Sequence, residues 1–112
     1  MTIASEALAK RVRPLLARRQ GIVEKRMFGG IAFMLGGNMC CGVIGEDLMV
    51  RLGDDGEAAL AEPHTRPMDF TGKPMKTAIY VDPEGTGDDA ELERWVEAGA
   101  DYTASLPPKG TS

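Results

Sequence analysis

The pattern of hydrophobic and polar positions changes period along the chain. Leu8, Val12, Leu15 and Leu16 recur at i, i+4, i+7 and i+8, one apolar stripe at helical spacing. Ser5 is placed to cap this helix ahead of Glu6, whose carboxylate suits the positive first turn. Gly21 supplies a stop, with Arg18 and Arg19 set to complement the last carbonyls. Pro14 lies off the stripe, so a bend is expected rather than a break. From Val23 to Leu52 the period shortens to that of strands, predicted at Val23–Phe28, Ile31–Leu35, Met39–Ile44 and Leu48–Leu52. Gly29-Gly30, Gly36-Gly37-Asn38 and Gly45-Glu46-Asp47 separate them with tight-turn chemistry. Links this short join antiparallel neighbours, so the segment reads as a meander.

A short helix is expected around Glu57–Ala61, ended by Pro63. His64–Pro74 reads as a loop anchored by Phe70, and Thr77–Val81 as a strand stopped by Asp82-Pro83. In the last helix Asp88 and Glu91 form a capping-box pattern. Leu92, Trp95, Val96, Gly99, Thr103 and Leu106 mark its buried stripe, while Glu93, Arg94, Glu97 and Asp101 point outward. Pro107-Pro108 ends it. The order predicts one α+β domain over residues 1–108 and a flexible tail over 109–112. The expected architecture has two layers. An antiparallel meander sheet carries an N-terminal helix, a short middle helix and a long C-terminal helix, packed mainly on one face.

The strands also say what their other face carries. Ile31, Phe33 and Leu35 share one face of their strand, and Leu48, Val50 and Leu52 one face of theirs. Ala32, Met34 and Met49 fall on the opposite faces. A sheet with one wet face should be polar there. It is only partly so, which predicts a cover, with a second chain as one candidate. Met27, Met34, Met39 and Met49, four of seven methionines, lie in the meander. Methionine side chains repack around different partners, which makes Met34 and Met49 candidate interaction residues and a homodimer the expected assembly.

Composition narrows the function classes. The 112 residues are 43% hydrophobic and 27% charged, ordinary for one globular domain. No apolar run is long enough to span a bilayer, so no membrane partner is expected. MTIASEALAKRV lacks the parts of a signal peptide, which points to the cytoplasm. The net charge of −4 hides an asymmetry: residues 1–28 hold seven Lys/Arg against two Glu (+5), and residues 82–102 eight Asp/Glu against one Arg (−7). Either the basic helix makes transcription-related contact with nucleic-acid phosphates, an alternative that the acidic chain as a whole disfavours, with Arg11 and Arg18 as contact candidates, or the two segments face each other within the chain or across a dimer.

Few residues point to catalysis. Cys40 and Cys41 are adjacent, so on a regular strand they point to opposite faces and form no disulfide framework. They remain candidates for redox or ligand sensing. His64 is the lone histidine, and Cys-Cys with one His does not match a zinc site. Asp54-Asp55-Gly56 lacks the rest of a calcium loop. Gly29-Gly30 fits neither a P-loop nor a dinucleotide fingerprint, and reads as a turn. No catalytic, cofactor-binding or metal residue is predicted, and the expectation is a non-enzymatic protein without a cofactor.

The helix followed by EKRMFGGIAFMLGGNMCCGVIGEDLMVRL, then PMDFTGKPMKTAIYVDPEG and a final helix, resembles the N-terminal domain of the TfoX/Sxy family over roughly residues 6–108. The most specific parts are Met27-Phe28-Gly29-Gly30, Gly37-Asn38, Leu48–Arg51 and Ile79–Val81 with Asp82-Pro83. The resemblance implies a two-layer α/β fold and a regulatory role. Full-length members regulate natural competence and carry a second, C-terminal domain, so this chain is expected to be a stand-alone version with a regulatory protein partner. The resemblance supplies no catalytic motif, and the Cys40-Cys41 pair reads as a subgroup feature.

Overall fold

A computed structural model describes residues 3–27, 30–68 and 75–106. Its elements are α1 (Ile3–Leu16), β1 (Ile22–Met27), β2 (Gly30–Leu35), β3 (Asn38–Ile44), β4 (Asp47–Arg51), α2 (Gly56–Ala59), β5 (Thr65–Met68), β6 (Met75–Val81), α3 (Pro83–Thr86) and α4 (Asp89–Ala104). The six strands form one antiparallel sheet in the order β1-β2-β3-β4-β6-β5. This is the expected α+β meander with an added pair. After β4 the chain passes a short 3₁₀ turn and α2 to the outer edge, and β6 returns into the slot beside β4.

Cross-strand partners show how alternation builds the core. Phe33, Cys41, Val50 and Ile79 form one row, and Ile31, Val43, Leu48 and Val81 the next. All eight are at most 2% exposed. On them pack Leu8, Val12 and Leu16 of α1 and Leu92, Trp95 and Val96 of α4. All helical members of the described core belong to this cluster, so the helices cover one face of the sheet. The α4 helix approaches most closely at Gly99, where a Cβ would sit 2.9 Å from the Cys40 carbonyl oxygen and 3.1 Å from Val50 Cγ1. Asp88 caps α4 as expected, its carboxylate accepting from the Ala90 amide at 3.3 Å.

Several expectations change. Helix α1 begins at Ile3, so Ser5 lies inside it rather than at its cap; Ile3 and Ala4 carry nothing that breaks a helix. The helix runs through Pro14 and ends at Leu16, and Gly21 closes the following turn at φ +85°. Arg18 and Arg19 therefore lie beyond the last turn and reach α4 instead of the α1 carbonyls.

Thr65–Met68, read as loop, is an edge strand. It tolerates Pro67 because an edge leaves one side of the ladder open. Pro83 does stop β6, and it opens α3 at the helix position where its missing amide costs nothing. Phe70, the Phe28-Gly29 part of the glycine turn and the tail lie outside the described residues. Gly30 opens β2, with Val43 O only 2.1 Å from where a Cβ would stand.

Candidate functional site

Met34 and Met49 do share the helix-free side of the sheet. The register places Val23, Met34 and Met39 in one row and Ala32, Gly42, Met49 and Tyr80 in the next. Met49, Ala78 and Tyr80 form a second buried cluster of strand residues alone, flanked by Met39 and Ile44. Met49 lies across the sheet, its methyl 3.1 Å from where a Gly42 Cβ would be. Met34 is half-buried. On the edge strand Val23 is 52% exposed, the exposed large hydrophobic of the described chain. At the far end Arg66 stands 5.0 Å over the Tyr80 ring, bonds Asp47 Oδ2 at 2.6 Å and also pairs with Asp82. Burial raises the Asp47 carboxyl above its usual range and Asp82 repels it further, against the pull of Arg66. The surface is thus an apolar strip with charge at both ends, since Lys25 of β1 pairs with Ala32.

Arg11 and Arg18 both face acidic residues of the C-terminal segment. Arg11 donates to Asp89 at 3.0 Å and to the Gly87 carbonyl at 3.3 Å, and Arg18 lies 3.8 Å from both Glu93 and Glu97. Arg19 holds Glu97 at 2.6 Å and Asp101 at 2.7 Å. Donating these hydrogen bonds to the two carboxylates raises the Arg19 pKa. The basic and acidic segments therefore face each other within one chain. On the other flank of α1, Arg13 bonds Glu24 of β1 at 2.6 Å, holding that carboxyl below its usual range.

The two cysteines are corrected in placement. Phe33 pairs with Cys41 and Met34 with Met39, so Cys40 is an extra residue on β3, a β-bulge. The bulge turns both side chains toward the helices, and both are fully buried and free of any disulfide. A hydrogen bond from Cys41 lowers the Cys40 pKa, helped by Arg19 and Thr103 and opposed by burial; the Cys41 thiol is pushed well up by the same bond and by its burial. His64 is exposed, at φ +67° beside Gly85, and far in chain order from both thiols. Among the described residues, no three His, Cys, Asp or Glu side chains group as a metal site would require.

Sequence reasoning did not foresee a groove of about 670 Å³ between α2 and α4. Leu52, Ala58, Ala59, Ala98 and Tyr102 line it, with Asp55, Glu62, Arg94 and Asp101 among its polar residues. Its lining comes from separate segments that meet only because the chain crosses to the outer edge of the sheet.

A family model described as the TfoX N-terminal domain matches residues 14–102 of the chain. No curated protein and no solved structure matches it.

Proposed function

The chain belongs to the TfoX N-terminal domain family, and from that premise we propose that it acts as a non-enzymatic regulatory domain of the cytoplasm, working through protein contact and pairing with a second copy of itself. The observation that carries this reading is the helix-free face of the sheet, where Val23, Met34 and Met39 lie in one row beside Met49 and Tyr80. Met49 and Tyr80 are already buried within the chain, so a partner would remove water from Val23, Met34 and Met39, and apolar area removed from water stabilises at about 25 cal/mol per Å². A stable interface buries about 1,200–2,000 Å² in total. Sedimentation should show a dimer at micromolar concentration. Met34→Glu should shift it to monomer with the circular dichroism of the folded chain kept. A wild-type monomer across that range would end the self-association reading.

A second reading, thiol-based sensing, draws support from the bulge that sets Cys40 and Cys41 on the same side with a hydrogen bond between them. Both thiols are buried, so reaction requires local opening. Native protein treated with iodoacetamide should then label at Cys40 ahead of Cys41 and faster than the chain unfolds. Labelling that begins only with global unfolding makes the pair ordinary core.

A further inference from the structure

The groove between α2 and α4 combines a small-residue floor, aromatic walls and an acidic rim. Ala58, Ala59 and Ala98 keep the floor shallow, and Leu52 and Tyr102 extend it. Along α4 its lining falls at Trp95, Ala98, Asp101, Tyr102 and Ser105, the i, i+3, i+6, i+7, i+10 spacing of one helix face. That face runs for about 15 Å at 1.5 Å per residue, a trough proportioned for another helix. Two rings of this region already lie against guanidinium groups: Arg94 stands 4.3 Å over Trp95, and Arg51 5.8 Å over Tyr102. Aromatic faces attract cations in this way.

Charge decides the occupant. Among the described residues Asp55, Glu62 and Asp101 line the groove against Arg94 as the one basic residue, and Arg94 is engaged by Glu62 at 2.8 Å and Glu91 at 2.7 Å. Asp101 keeps 73% of its side chain exposed while paired with Arg19. An apolar trough rimmed with carboxylates complements a helix that is apolar on one side and basic on the other. We propose that the α2/α4 groove docks a basic amphipathic helix of a partner protein, its apolar stripe on the alanine floor and its Lys/Arg side chains on Asp55, Glu62 and Asp101. This rests on the protein-contact reading above, but uses the helix side of the molecule, away from the sheet face assigned to self-association.

The test follows the backbone amides of the ¹⁵N-labelled full chain by NMR as synthetic peptides are added. The probes are a short Leu/Lys peptide designed as an amphipathic helix, a Leu/Glu peptide of the same pattern, and a scrambled Leu/Lys peptide without an apolar face. The Leu/Lys helix should shift amides of α2 and α4 saturably, and the other two should not. Asp55→Lys and Ala58→Trp both alter exposed side chains, so the fold is kept, and each should weaken binding at least about tenfold. Shifts mapped to another surface, equal binding of the scrambled peptide, no binding, or affinity unchanged in both variants would overturn the proposal. So would a concentration-dependent shift of the same amides without peptide, which would give the groove to a second copy. Sedimentation of the same samples separates the two claims, since self-association through the sheet can persist when the groove fails.

Discussion

At the scale of single residues, Gly99 shows how tightly the helix layer is seated. Alanine at this position gains about 1 kcal/mol of helix propensity. It also drives a methyl to 2.9 Å from the Cys40 carbonyl oxygen and 3.1 Å from Val50 Cγ1. Overpacking of this kind costs about 1–3 kcal/mol, and the nearer obstacle is main chain, which cannot rotate away. Gly99→Ala should therefore lower the urea midpoint, with a net loss of about 1 kcal/mol; a midpoint at or above wild type would show that α4 can lift. The sequence placed Gly99 on the buried stripe through periodicity, but the identity of the atom it admits depends on another element. Cys40 and Cys41 teach the converse. Alternation sends neighbours to opposite faces, and a bulge breaks that rule at a single position without leaving a composition signal.

Elements were more legible than residues. The four meander strands stand where period two and the glycine turns put them, within a residue at most ends. Edge strand β5 was hidden by Pro67, although proline within a short run is itself a sign of an edge. Between elements, α1 is joined to β1 by Arg13 and Glu24, and this contact sets a pH response. The Arg13 hydrogen bond lowers the Glu24 pKa on folding, so the folded state favours the ionised carboxylate. That contribution is complete above the ordinary carboxylate range and is lost as acidification carries the pH down through the lowered folded value. Glu24→Gln removes the linkage. Denaturation midpoints measured over an acid series should fall less steeply for the variant, and parallel curves would show that the pair adds nothing.

At the scale of the whole molecule, the charge asymmetry resolves inside the fold. Arg11, Arg18 and Arg19 meet carboxylates of α4, so much of the basic segment's charge is balanced within the chain. Of the surfaces, the helix-free sheet face was legible because Ala32, Met34 and Met49 break the polar alternation within strands. The α2/α4 groove was not, because no stretch of sequence contains it.

The bulge on β3 also bears on how this chain can change length. Cys40 is the one residue of its strand without a register partner between Met39 and Cys41. Deleting it would leave Met39 opposite Met34 and Cys41 opposite Phe33, the pairings they already have. Insertion or loss of one residue inside a strand ordinarily inverts every side chain beyond it. Here loss of one residue would cost the core Cys40 itself, while the other side chains of the strand keep the faces they already have.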